Sequence, residues 1–197
     1  MTGPKIFIIG LNKCGTNSLH QLFRRSGIPS LHFRTPELGN AAIRLLNNIA
    51  LGRPSLTGME DFVAYSDFSF ADNRLYIEGV RFFRQFHADY PDAFFILNTR
   101  DEDQWLASRF GHMRGKLAQR AKAAFDIDEN GLRALWLQQF RTHHAEVRAY
   151  FENQPRFLEF DIERDDPKTL ASFLAPVHRV DPKRWGHHNK SADKASA

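Results

Sequence analysis

Cysteine occurs once in the 197 residues, as Cys14, so no disulfide can close within the chain, and this usage fits a reducing compartment. Long apolar runs are missing as well. The longest near the N-terminus, Ile6-Phe7-Ile8-Ile9-Gly10-Leu11, falls far short of the roughly 20 residues a bilayer span needs and lacks the layout of a signal peptide. A soluble, cytoplasmic protein is the expectation. There is no arginine-rich arm, zinc-finger spacing or aromatic RNA-binding signature, which sets nucleic acid aside as a partner. HExxH, CxxC and clustered carboxylates are absent too, so no metal is expected.

What remains is globular. Apolar residues make up 42% and charged residues 25%, which excludes disorder and coiled coil. Eighteen phenylalanines point to an aromatic core or an apolar cleft. With 27 basic against 23 acidic side chains, the net charge of +4 gives only a mild preference for anionic ligands. The length suits one domain, expected over 1–185, with a polar tail over 186–197.

Apolar runs alternate with helical periodicities. Lys5–Gly10, Ile28–Phe33, Ala93–Arg100 and Arg156–Asp161 read as strands, and Asp61–Phe70 as a strand running into a loop. Helical spacing marks Thr16–Arg25, Leu38–Leu51, the stripe Tyr76, Val80, Phe83, Phe86 and Tyr90, a stretch from about Glu102, Leu132–Phe151 and Asp166–Leu174. The basic cluster Arg114–Lys122 reads as a solvated face. Such alternation predicts a three-layer α/β sandwich around a mostly parallel sheet. Ligands of these sheets sit beyond the carboxyl ends of the strands, which directs attention to the residues after Ile9, Phe33, Tyr65, Leu97 and Phe160.

The first of these places is the most informative. Gly10-Leu11-Asn12-Lys13-Cys14-Gly15-Thr16-Asn17-Ser18 joins a hydrophobic strand to an amphipathic helix, where open backbone amides and the helix dipole favour an anion. Gly10 and Gly15 have the spacing of a Walker A loop, but Thr16 stands where its lysine belongs and the cation is Lys13. Asn98-Thr99-Arg100 closes the later strand without the acid that would help hold magnesium. The loop therefore reads as built for one 5′-phosphate and a metal-free transfer. An ordinary strand–helix turn is the plain alternative. Cys14 lies near a helix start, where a thiol pKa falls, or simply fills the loop.

Lys13-Cys14-Gly15-Thr16-Asn17-Ser18 resembles the phosphosulfate loop, K-x-G-T-[TS]-[ST], of sulfotransferases that use 3′-phosphoadenosine 5′-phosphosulfate (PAPS), and departs from it only at Asn17. A second element matches: Arg100 at a strand end, with Ser108 eight residues on. The resemblance, good over Lys5–Arg109, implies a P-loop-like sulfotransferase fold and PAPS as donor. Lys13, Cys14, Gly15, Thr16, Asn17 and Ser18 would hold the 5′-phosphosulfate, and Arg100 and Ser108 the 3′-phosphate. Gly186-His187-His188-Asn189-Lys190-Ser191 is similar to a segment that closes near the donor in relatives, though an exposed tail is the simpler reading.

Sulfuryl transfer to a hydroxyl or amine also needs a base. His32 ends the second strand beside the loop, and neutral imidazole suits proton removal near pH 7. A buried histidine bonded to backbone is equally compatible with that position. Asp67 is the second candidate and could orient His32 instead; Glu37 is the third. A small molecule, glycan or lipid could be the acceptor, and the oligomeric state is not legible. The rival readings are a P-loop nucleotide kinase or NTPase with an altered loop, and a nucleotide-binding module without turnover. His143 falls on an apolar stripe and reads as a core residue.

Overall fold

Alternation along the first strand sets the layers of the computed structural model, which describes residues 3–186. In β1 (Ile6–Ile8), Ile6 and Ile8 join a core on one face of the sheet, while Phe7 and the following Ile9 join a core on the other. The chain continues through α1 (Thr16–Arg25), β2 (Ser30–His32), the two-residue strands β3 (Arg34–Thr35) and β4 (Gly39–Asn40), α2 (Ala41–Ala50) and β5 (Ala64–Ser66). Next come β6 (Ser69–Ala71), β7 (Tyr76–Glu78), a 3-10 turn (Gly79–Phe82), α3 (Phe83–Asp89) and β8 (Phe94–Thr99). The helices α4 (Glu102–Gly111), α5 (Lys116–Phe125) and α6 (Glu129–Tyr150), the strand β9 (Phe157–Asp161), α7 (Pro167–Leu174) and a last 3-10 turn (Pro182–Arg184) complete the order.

Five strands pair in the order β2-β5-β1-β8-β9, every neighbouring pair parallel. All five carboxyl ends therefore lie along one edge. Helices α1 and α7 cover one face, where Leu19, Leu22, Phe23, Leu170 and Leu174 meet Ile8, Phe94 and Ile96. On the other face Leu45, Phe83, Phe86, Val147 and Phe151 meet Phe7, Tyr65 and Phe95. The phenylalanines thus build core: Phe7 stacks on Phe86 and Phe95 with ring centroids 4.7 and 5.3 Å away. A third cluster, formed by α4, α5 and α6 around Trp105, Leu132 and Trp136, reaches Leu11 and Cys14 in the first loop.

The predicted sandwich is present, and its corrections are local. Asp61–Phe70 is two strands, because Asp67 adopts a left-handed φ of 54° that ends β5 and turns the chain into β6. The stripe from Tyr76 to Tyr90 is not one helix. Tyr76, Ile77 and Glu78 pair antiparallel with Ala71, Phe70 and Ser69, and helix begins only at Phe83. The turn Asp72–Leu75 drives that hairpin: Asp72 Oδ1 accepts from the amides of Arg74 and Leu75. The basic stretch read as a solvated face is largely α5, with Ala118 and Ala121 buried beneath its cations. Apart from Gly186, the tail 186–197 and its Asn189 lie outside the described residues.

Candidate functional site

The turn after β1 is held from below by Asn98, buried near the end of β8. Its Oδ1 accepts from the Gly10 amide at 2.8 Å, and its Nδ2 donates to the Cys14 carbonyl at 2.6 Å. A Cβ on Gly10 would lie 1.9 Å from the Asn98 carbonyl oxygen, so only glycine lets β1 and β8 approach this closely. Lys13 and Gly15 both take left-handed conformations, with φ of 76° and 77°. For Gly15 this costs little; for Lys13 it is strain of order 1–3 kcal/mol, of the kind functional loops store. The first helical bond of α1 runs from the Leu19 amide to the Gly15 carbonyl at 3.2 Å, and its first turn carries no acid. The preceding amides therefore point out of the helix start, where an anion is favoured.

Cys14 does not face that site. Its side chain is fully buried in the third cluster, its amide donates to Leu11, and burial pushes its thiol up to about 12. Of the two sequence readings, Cys14 follows the one in which it fills the loop; its thiol is not depressed, because desolvation outweighs the helix start and the nearby arginines. Thr16 and Ser18 are buried at the first turn, and Asn17 is half-buried. Lys13 Nζ reaches the other rim of the loop, 3.3 Å from His112 Nδ1 at the end of α4.

At the ends of β2 and β5 the structure brings His32 and Asp67 together. His32 Nδ1 lies 2.9 Å from Ser66 Oγ and its Nε2 lies 3.6 Å from Asp67 Oδ2. The imidazole stacks on His20 at 5.0 Å, and His20 in turn pairs with Ser30 Oγ at 2.8 Å. Burial pushes the His32 pKa below its ordinary value, with Lys13 adding to that and Asp67 opposing it. Asp67 is fixed by Ser69 Oγ at 2.6 Å and by Asn12 Nδ2 at 3.1 Å. The third candidate, Glu37, is exposed between β3 and β4.

Arg100 follows β8. Its Nη2 donates to Glu163 Oε1 at 2.5 Å and to Gln104 Oε1 at 2.9 Å, while its Nε is buried without a partner among the described residues. Ser108 is half-buried one helical turn beyond Gln104, on the same side of α4.

Sequence reasoning missed the support beneath these groups. Trp105 Nε1 donates to the Asn12 carbonyl at 2.9 Å. Behind it, buried Arg109 pairs with buried Glu78 at 2.6 Å and lies over the Trp105 and Trp136 rings at 4.9 and 4.5 Å. Burial raises the Glu78 carboxyl and lowers the Arg109 guanidinium, since each charge loses solvation, while the short contact favours the ionised pair. Glu78 was hidden because its segment read as helix. Among the described residues no group of three or more metal-ligating side chains stands together.

Residues 5–126, more than half of the chain, match the family model described as a sulfotransferase domain. This chain belongs to the sulfotransferase family. The matched span contains the loop, His32, Asp67, Arg100 and Ser108, so these positions of the sulfotransferase fall within the family's own domain. The crystal structure of a sulfotransferase from Alicyclobacillus acidocaldarius superposes with a TM-score of 0.54 at 17% identity, covering 92% of this chain and 85% of that one. The likeness establishes the fold. No curated protein matches this sulfotransferase in sequence.

Proposed function

We propose that the protein transfers a sulfuryl group from PAPS to the hydroxyl of a small acceptor, working as a single unit over 1–185. The observation that carries this reading is convergence. Lys13, the His32–Asp67 pair and Arg100 leave three different parts of the sheet, yet all lie at its carboxyl edge around one helix start. A donor with phosphates at both ends of a ribose fits these groups. The Arg100 Nε, without a partner among the described residues, and the acid-free first turn of α1 both favour an anionic ligand at this edge.

The bound donor supplies an electrophilic sulfur and a phosphate leaving oxygen that gains negative charge as the bond to sulfur breaks. Lys13 Nζ and the amides before Leu19 neutralise that charge. Ser66 Oγ lies 3.4 Å from the Leu31 carbonyl and can donate to it, which leaves the serine oxygen to accept from His32 Nδ1–H. This tautomer puts the lone pair on His32 Nε2, which takes the acceptor's proton as its oxygen bonds to sulfur. Asp67, 3.6 Å away, then faces the imidazolium and stabilises it. Arg100 and Ser108 hold the 3′-phosphate and so fix the line of attack.

Calorimetric titration with adenosine 3′,5′-bisphosphate, against ATP with magnesium, tests the reading. Wild type should bind the bisphosphate selectively, and Arg100→Ala should lose about tenfold or more of that affinity. Binding of ATP with magnesium, indifferent to Arg100, would sink the proposal in favour of a nucleotide kinase.

A further inference from the structure

The groove beside His32 has a distinct chemistry of its own. After His32 the chain enters the left-handed region at Phe33, with φ of 61°, a conformation a bulky side chain adopts only under constraint. The constraint is a pair of bonds: the Phe33 amide donates to the Ser66 carbonyl at 3.4 Å, and its carbonyl accepts from Ala41 at 2.9 Å. Phe33 is left 36% exposed, whereas Leu31 on β2 and Tyr65 on β5 are buried. It lines a groove of ≈ 480 Å³ whose other walls include Phe70, Pro36 and Asn40, a size that suits a small organic molecule.

Among the described residues, one cation and no acid line this groove. The cation is Arg34, exposed on β3, with its guanidinium carbon 5.9 Å from the centre of the Phe33 ring. Phe70 enters from β6, three residues after Asp67, and Asn40 is tied to that strand through Ser69, whose carbonyl accepts from Asn40 Nδ2 at 3.0 Å. The groove therefore lies beside the His32–Asp67 pair: Phe33 directly follows His32, and Ser69, which accepts from Asn40 through its carbonyl, donates through Oγ to Asp67 at 2.6 Å. A planar ring laid between Phe33 and Phe70 would bring a hydroxyl at one end toward His32. An anionic substituent at the other end would meet Arg34.

We infer that the groove takes an aromatic hydroxyl compound carrying an acidic group, held by Phe33 and Phe70 through its ring and by Arg34 through its anion. This assignment rests on the sulfotransferase reading above for the role of the groove, but its binding chemistry can be measured without any donor. An amine-bearing acceptor is disfavoured by the same charge.

The test is a comparison of 4-hydroxybenzoate, 4-methylphenol and cyclohexanol by saturation-transfer NMR and calorimetry. 4-Hydroxybenzoate should bind wild type about tenfold more tightly than 4-methylphenol, the effect of one charge-assisted contact. Cyclohexanol should bind least well. Arg34→Gln should erase the gap between the acid and the phenol, Arg34→Lys should keep part of it, and Phe33→Leu should weaken both aromatic probes. Equal binding of the acid and the phenol, a gap that survives Arg34→Gln, or cyclohexanol matching the phenol would each overturn the assignment. Titrating adenosine 3′,5′-bisphosphate into the same samples separates the two readings. Nucleotide binding without the aryl-acid preference rejects the groove assignment alone. The preference without nucleotide binding rejects the donor and leaves the groove.

Discussion

Lys13 concentrates the logic of the site in one residue. Its left-handed backbone is a conformation glycine would adopt without strain, so the lysine is kept there at a cost in stability. Lys13→Ala should lower kcat for sulfuryl transfer by about 10²–10³-fold, in line with the loss of one preorganised charge donor. Lys13→Gly should lose as much activity while its Tm does not fall, because the strain is relieved. A parallel drop in Tm for the glycine variant would show that Lys13 is structural. Arg100 makes a second residue-scale case. Glu163 holds it at 2.5 Å and competes with any phosphate for the same guanidinium. Glu163→Gln should tighten adenosine 3′,5′-bisphosphate by about tenfold by calorimetry. The effect should shrink as salt is added, because both charges are partly exposed. Weaker binding would mean that Glu163 orients Arg100 productively.

At the scale of elements, the junction of β1, β8 and α1 is one unit clamped by Asn98. Asn98→Ala would leave the Gly10 amide and Cys14 carbonyl without their buried partner, a penalty of about 3 kcal/mol on unfolding, measurable as a lower urea midpoint. Bisphosphate affinity should fall with it, since the loop loses its template. The strand and helix of this junction were legible in the sequence, because a β-branched run ending in glycine and an apolar 3–4 spacing are local signals. The clamp was not. Asn98 and Cys14 are 84 residues apart, and no periodicity connects them. The β6–β7 hairpin failed for another reason: Tyr76, Val80 and Phe83 satisfy a helical spacing while the turn at Asp72 and pairing with β6 decide for strand. Glu78 was lost with it, and so was the buried ion pair that supports Asn12.

For the whole molecule, the buried histidines set the response to acid. His143 is 1% exposed, donates from Nε2 to the Ile9 carbonyl at 2.7 Å, and is lowered to about 4, chiefly by desolvation. Burial lowers His20, His32 and His144 as well. Below the unfolded value of 6.5 the unfolded chain takes up protons that the folded chain refuses until about pH 4. Stability is therefore full above pH 6.5 and falls as pH drops toward 4, with His143 alone contributing on the order of 3 kcal/mol. Urea midpoints at pH 7 and pH 4.5 should show that loss, and His143→Gln should flatten it. A midpoint that holds steady across this window would contradict the neutral, buried assignment.

The sequence by itself determined the alternation of strands and helices, and hence the layered sheet. It also determined the anion-favouring turn at Gly10–Ser18 and the likeness of Lys13–Ser18 and Arg100–Ser108 to sulfotransferase elements. These are short-range properties, written in residues that are neighbours or lie within a few helical turns. Only the tertiary structure decided that His32 faces Asp67, that Arg100 is engaged by Glu163, that Cys14 points inward and that Phe33 and Arg34 share a groove. Each depends on which strands pair and how deeply a side chain is buried. Desolvation and cross-strand contact arise from residues far apart in the chain, brought together when the parallel sheet forms.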